Sequence, residues 1–483
     1  MTRRMTIHLS IGAPVAIAGV LLLAAALTAA GRNSSPVAKP LAGDAASGPG
    51  RANILFICVD TLRADHVGLY GYARATTPHV DAFFGTARVF ETAYATAPIT
   101  TPSVVSALTG LYPHRHGVRL LMQRIAPEVG TVVDDLRRAG YQTAAVVSNA
   151  VLADEACGLG ERFDFYDDDV EEREPFREEM FERRAARTTD AAIRWLVEDR
   201  RVDRPHFLWV HYIDPHGPYR PPADKPVDFS HEAPVPIDAD RVPDYSREPG
   251  LADGQEYVDR YDEEIAYTDR EVGRLLETYG ALGLAQSAAV IFFSDHGESM
   301  LEHEHWFRHQ MNVYEEMVRI PLAIRFHRLA RGRVSVPVSN ADLAPTVLDL
   351  AALPVPAGLD GRSLLGDIEP RDIFCEGRAD GGGLWRGLVR GRHKATARHG
   401  MSNVIRAARS FDLTADPGEL HPISLEPDDP AWVMLAELIA ADPDPGGVPE
   451  SYQEGELPGP GVARPSSPEM VQRLRSLGYV GSD

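Results

Sequence analysis

Three apolar runs of strand length each lead into a carboxylate. Asn53–Val59 runs directly into Asp60, His206–Tyr212 reaches Asp214 two residues on, and Ala288–Phe293 reaches Asp295 two residues on. A nearly continuous apolar run of this length fits a strand covered on both faces, as in a parallel sheet. Gln142–Val147 is a fourth such run. Segments with helical spacing lie between them: Pro102–Leu108, Thr131–Arg138, Thr188–Val197 and Glu264–Tyr279. Strands alternating with helices predict an α/β sandwich with a mostly parallel central sheet. Ligands of such sheets bind at the carboxyl ends of the strands. Asp60, Asp214 and Asp295 all fall just past such ends, and that convergence is the first sign of a site.

The other segments read differently. Residues 218–254 are rich in Pro and acidic residues without periodicity, which predicts a surface excursion over the site with a bearing on substrate choice. Arg371–Asp412 holds short strand-like pieces and several glycines, which predicts a small C-terminal β-rich unit. Asp442–Pro468 is rich in Pro and Gly, and Pro468–Leu477 has the pattern of a short helix. At the other end, Arg3 and Arg4 precede an apolar run, Ile11–Ala30. Two readings stay open: a cleavable signal ending near Gly31, or an uncleaved anchor with its basic end in the cytoplasm. Either places the remainder outside the cytoplasmic membrane, periplasmic or secreted, and the anchor adds membrane association. Residues 32–50 are rich in Ser, Ala, Gly and Pro and read as a linker.

Composition excludes several classes. The 49 Lys and Arg against 70 Asp and Glu give a formal charge of −21. A nucleic-acid binder would need a basic footprint, so nucleic acid is not expected as a partner. Three cysteines are too few for a disulfide scaffold or a cysteine-rich metal site.

The candidate chemistry centres on Asp295-His296-Gly297-Glu298. An Asp-His pair at a strand end offers one oxygen and one nitrogen ligand, half of a metal site. With Asp60 and the Thr100 hydroxyl it makes an O,O,O,N set able to hold one divalent ion. Such an ion lowers the hydroxyl pKa, and the alkoxide becomes a nucleophile. Thr100 opens the Pro102 helix, where backbone N–H groups and the helix dipole favour an anionic phosphate or sulfate. Taken alone, Thr100 reads as an N-cap and Asp60 as a turn residue. His216, in the run His211–Tyr219, is a candidate donor to a substrate oxygen or ligand of a second metal. Of the crowded His303, His305 and His309, only His309 is taken as a site residue.

Motifs in order then resemble those of the sulfatase family within the alkaline phosphatase superfamily. They are Asn53–Asp60, Thr100–Gly110, Tyr112–Gly117, Asp214–Tyr219, Tyr261–Glu264, Ser294–Glu298, Tyr314–Pro321, Asp342–Asp349 and Phe411–Pro417. The resemblance runs from Asn53 to about Ser424. It implies an alkaline-phosphatase-like α/β sandwich over residues 51–368, a small C-terminal subdomain over 369–430 and a tail over 431–483. It also implies a metal-assisted hydrolase or transferase of phosphate or sulfate esters, with a small molecule, glycan or lipid head group as partner. Thr100 stands where the family carries the Cys or Ser that becomes formylglycine, and Thr cannot become that aldehyde. Val104 replaces an Arg, and Thr61 replaces a second Asp. A Thr nucleophile resembles instead the phosphodiesterase, phosphonoacetate hydrolase and phosphoethanolamine transferase branches. The expected set is therefore Asp60, Thr100, Asp295 and His296 on one ion (Mn, Zn, Ca or Mg, with nitrogen tilting toward Mn or Zn), ahead of two ions. Thr100, His216 and His309 are the expected catalytic residues, with no formylglycine.

Overall fold

Ile54–Val59 (β1) packs opposite faces of one strand against two apolar cores. Ile54, Phe56 and Cys58 point into one core, and Leu55, Ile57 and Val59 into the other. That explains the absence of alternation: neither face meets water. The computed structural model describes residues 51–170, 182–379, 382–400, 405–426 and 428–442. The N-terminal apolar run, the linker and Pro468–Leu477 lie outside the described residues. No helix among the described residues is long and apolar enough to cross a membrane.

β1 pairs in parallel with His206–Tyr212 (β3) on one side and Ala289–Ser294 (β4) on the other; Gln142–Val147 (β2) pairs in parallel with β3. The eight-stranded sheet runs Gly332–Val334, Arg88–Phe90, Leu322–Arg325, β4, β1, β3, β2, Phe165–Asp167. Leu322–Arg325 pairs antiparallel with both of its neighbours and breaks the common direction. Register places Val59 level with Tyr212 and with Ser294. The chain therefore leaves β1, β3 and β4 at one height, and the turns beyond those strands gather at one edge.

The helices depart from expectation at their starts. Thr100–Thr109 (α1) begins two residues before Pro102. Its N-cap is Ile99, which has no side-chain cap bond, so Thr100 lies inside the first turn and its hydroxyl is not spent on capping. The segment expected at Thr188–Val197 forms Ala185–Arg194 followed by a π-turn, Trp195–Asp199. The long helix spans Gly254–Ala281 (α2), ten residues longer at its start than Glu264, with Asp253 accepting from Gln255 N as its cap. The N-terminal part of α2 buries Asp259, Asp262, Glu263 and Glu264, and those carboxylates hide the apolar period.

Beyond the main sheet, Ile373–Arg378, Leu384–Arg390, His393–His399, Ile405–Asp412 and Ile423–Ser424 form a separate antiparallel sheet in chain order. Pro430–Ala441, unassigned from sequence, forms a helix that packs Leu435 and Ile439 on Leu388, Ala395 and Ala397 of that sheet. Cys58, Cys157 and Cys375 are all free and buried.

Candidate active site

Asp60 follows β1 with no intervening residue. Its successor Thr61 has φ 53°, a left-handed conformation that costs a β-branched residue free energy. Tyr261 of α2 holds the turn: its hydroxyl donates to Thr61 O (2.8 Å) and accepts from Arg63 N (3.0 Å). After β4, Ser294 Oγ donates to His296 O (2.6 Å) and Ser103 Oγ of α1 donates to Asp295 O (2.5 Å). Gly297 permits a close pass, since a Cβ there would sit 2.1 Å from Glu316 O. Both turns are thus fixed from outside themselves.

These turns bring four of the expected residues together. Thr100, Asp60, Asp295 and His296 are all fully buried. Thr100 Oγ1 lies 3.2 Å from His296 Nε2. His296 Nδ1 donates to Gly297 O (2.9 Å), which leaves the ring's lone pair on Nε2. That Nε2 lies 3.5 Å from Asp60 Oδ1 and 3.8 Å from Asp295 Oδ2. Neither carboxylate oxygen has a hydrogen-bond partner.

Unpartnered lone pairs converging in a dry interior repel one another. Burial lifts the Asp60 carboxyl well above its ordinary range, and the Asp295 charge lifts it further. Burial acts on Asp295 in the same sense, but His296 and His211 bring it below its ordinary value. A divalent cation is the partner that such a donor set fits: two carboxylates, an imidazole and a hydroxyl within reach.

His216 and His309 lie beside this cluster. Both are buried, their ring centres 5.2 Å apart, and the His309 ring centre is 4.7 Å from that of His296. Burial pushes each down to about 3, so both imidazoles are neutral. His216 Nδ1 donates to Gly217 O (2.7 Å). His309 Nδ1 lies 3.2 Å from Glu298 Oε1, and its Nε2 has no partner. Burial lifts Glu298 up to about 7. His303 stacks flat on Tyr314, with ring centres 3.8 Å apart. Asp214, counted in the convergence of strand ends, is not among the groups that meet; its Oδ2 accepts from Ala185 N (3.0 Å) at the start of a helix.

Three residues at the site were not singled out from sequence. Asn149 donates through Nδ2 to Asp60 Oδ2 (2.7 Å). Glu298 closes the Ser294–Glu298 motif, and the motif by itself assigns it no role. His211 places Nε2 3.7 Å from Asp295 Oδ2 and 3.9 Å from Asp60 Oδ2. Its strand register beside Cys58 sets it there, and the donors of Cys58, His211 and Asp295 form a second close group. His211 lies one residue before the end of β3, level with Cys58, and only the pairing of the two strands reveals it.

Residues 52–353 match the sulfatase family model. An uncharacterized sulfatase, YidJ, of Escherichia coli is 26% identical over 366 residues, 68% of this chain and 73% of that protein. The choline-sulfatase of Rhizobium meliloti is 27% identical over 442 residues, 79% of this chain and 84% of that protein. Among solved structures, a 2-O GAG sulfatase aligns with TM-score 0.64 at 19% identity, over 81% of this chain and 90% of that one. The phosphonate monoester hydrolase of Agrobacterium radiobacter aligns with TM-score 0.62 at 20% identity, over 81% and 94%. These two likenesses establish the fold.

Proposed function

The chain belongs to the sulfatase family, ester hydrolases of the alkaline phosphatase superfamily, and we propose that it cleaves phosphate or sulfate esters through Thr100, with phosphodiesters or phosphonate esters favoured. One observation carries the reading: a threonine hydroxyl, not used as a cap, lies 3.2 Å from an imidazole lone pair amid unpartnered carboxylate oxygens. Asp60, Asp295, His296 and Thr100 would hold one divalent ion. When bound, that ion would lower the hydroxyl pKa and draw charge from the ester.

The chain's own residues do the rest. The Thr100 hydroxyl gives up its proton to solvent, Oγ1 attacks phosphorus or sulfur in line, and a covalent threonyl ester forms as the bond to the leaving oxygen breaks. The first turn of α1 receives the equatorial oxygens. His309 protonates the leaving oxygen through Nε2. In the free site that atom is a lone pair, so it must first take up a proton, which an incoming anion favours. After the first step, neutral His216 or His309 accepts a proton from the water that cleaves the threonyl ester.

Charge supports the ester preference. Val104, one helical turn beyond Thr100, is apolar and buried where the family has an arginine. A cradle without that cation suits a monoanionic diester or phosphonate ester over a dianionic monoester. Export rests on the Arg3-Arg4 and Ile11–Ala30 pattern alone. Sulfate-ester hydrolysis without formylglycine is a second reading, favoured by the choline-sulfatase likeness, since sulfate monoesters are also monoanions.

The test assays the metal-loaded full chain on nitrophenyl phosphate monoesters, diesters, phosphonates and sulfates, with Thr100→Ala beside it. Diester or phosphonate turnover, lost in the variant, is the expected result. Turnover of sulfate alone would favour the second reading. No turnover with metal bound would point to a transferase that needs its own acceptor, or to a binding protein that keeps the fold.

A further inference from the structure

The excursion 218–254 brings Tyr245 against the site histidines. Tyr245 is buried, 7% exposed, and its ring centre lies 5.6 Å from that of His216, at an interplanar angle of 30°, and 5.9 Å from that of His309. The three rings form one cluster, and its His309 lies against His296, whose Nε2 meets Thr100. The next residue, Ser246, is fully buried, and a Cβ at Gly217 would come 2.3 Å from its Oγ. The excursion is therefore docked on the His216-Gly217 turn.

The docking is fixed from both sides. Val242 is fully buried in the main core. Arg247 donates to Val242 O and Asp240 O, closing the turn around Tyr245. Glu248 accepts from Arg220 Nε (2.5 Å), and its N–H donates to the Tyr257 hydroxyl of α2 (2.8 Å). A turn held at its base, its tip and its exit is a wall. Thr100 and His216 are fully buried and His309 nearly so, and the Tyr245 ring packs against both imidazoles.

We infer that Tyr245 is a specificity-determining residue: its ring contacts the leaving group and selects esters whose leaving alcohol carries a flat ring. The inference rests on the ester-hydrolase reading of this site. Aromatic contact with a ring face is directional and depends on the ring, not on the hydroxyl. Tyr245→Phe should therefore keep the selectivity that Tyr245→Ala loses.

The measurement is calorimetric binding of phenylphosphonate and methylphosphonate to the metal-loaded full chain carrying Thr100→Ala, which reads selectivity without turnover. In that background, Tyr245→Ala is expected to weaken phenylphosphonate roughly tenfold and methylphosphonate less than about twofold. Tyr245→Phe is expected to keep the parent ratio of the two affinities. An unchanged ratio in Tyr245→Ala, an equal loss of both ligands or a gain for phenylphosphonate would overturn the assignment. Should Tyr245→Ala fail to fold, Tyr245→Leu takes its place and the same outcomes decide. If neither phosphonate binds the parent, the ester-site reading itself falls and takes this assignment with it. Binding with an unaltered ratio removes only Tyr245.

Discussion

Two buried clusters of charged residues differ in how they are balanced. At the junction with the C-terminal sheet, Arg119 pairs with Glu376 (2.8 Å) and with Asp442, while Arg386 pairs with Asp442 and lies 3.6 Å from Glu376. Two guanidinium groups face two carboxylates, so the set is neutral by itself. At the edge of the central sheet, Asp60 and Asp295 face each other and an imidazole lone pair, and among the described residues their ion-pair partners include no Lys or Arg. Both clusters are buried, and their compositions differ. A balanced buried cluster needs nothing further and reads as architecture. An unbalanced one is held in place by its surroundings for something that arrives later.

The largest expected effect separates the two clusters by function. Thr100→Ala should lower turnover by on the order of 10⁴-fold or more, as loss of a nucleophile does. Metal content of the purified variant should stay near that of the parent, because both carboxylates and His296 remain. Residual turnover within tenfold of the parent would remove Thr100 as the nucleophile and leave the unbalanced cluster without its reaction.

Next comes a change in the balanced cluster. Arg386→Met leaves Asp442 and Glu376 short of one cation in the interior. Urea unfolding should show a loss of about 3–5 kcal/mol. The matching change on the other side should go the opposite way. Asp60→Asn removes one of two facing carboxylates, and its amide can donate toward the His296 Nε2 lone pair. The metal-free variant should be at least as stable as the metal-free parent. Metal at about a hundredfold excess over its dissociation constant should stabilise the parent by about 2.7 kcal/mol and Asp60→Asn not at all. If Asp60→Asn instead destabilises the metal-free protein as Arg386→Met does, the two clusters are of one kind.

Legibility in the sequence divides along the same contrast. The strands β1, β3 and β4 were readable because burial on both faces writes an uninterrupted apolar run. Asp60, Asp295 and His296 were readable because each stands just past such a run, where a charged residue is conspicuous. The start of α2 was not, because its inward face carries Asp259, Asp262, Glu263 and Glu264 in place of apolar residues. Partners for these lie far off in sequence: Asp262 meets His66 (2.6 Å) and Arg74 (2.8 Å), and Glu263 accepts from Phe229 N (2.9 Å). Pairings of that kind leave no local period. His211 was hidden for a related reason. A polar residue inside a strand declares its function only through the strand beside it, and the register of β3 on β1 is a tertiary fact.

A smaller effect tests whether buried histidines outside the site behave like the balanced cluster. His206 and His116 are buried, and burial pushes each down to about 3. His206 Nε2 lies 2.8 Å from the Tyr279 hydroxyl, and His116 Nε2 lies 2.9 Å from Ser106 Oγ. The unfolded chain takes up a proton on each near pH 6.5, whereas the folded chain does not until about pH 3. Their stabilisation is therefore present above pH 6.5 and is lost as pH falls toward 3. The slope is about 1.4 kcal/mol per pH unit for each group. His206→Asn should flatten the slope between about pH 6 and pH 4 by roughly that amount in urea titrations of the metal-free protein.

The smallest expected effect fixes the zero of the scale. Arg138 pairs with Asp135 (2.6 Å) on a helix face, and the Arg138 side chain is 73% exposed. Water already solvates both groups there, and holding them together costs side-chain entropy, so little net attraction is left. Arg138→Ala should change stability by less than about 0.5 kcal/mol, and less again in high salt. Its ion-pair distance is as short as those in the buried clusters, so distance alone cannot tell the three settings apart. If Arg138→Ala nevertheless costs as much as Arg386→Met, proximity and not desolvation sets the strength of these pairs. The imbalance at Asp60 and Asp295 would then lose its meaning as the mark of a site.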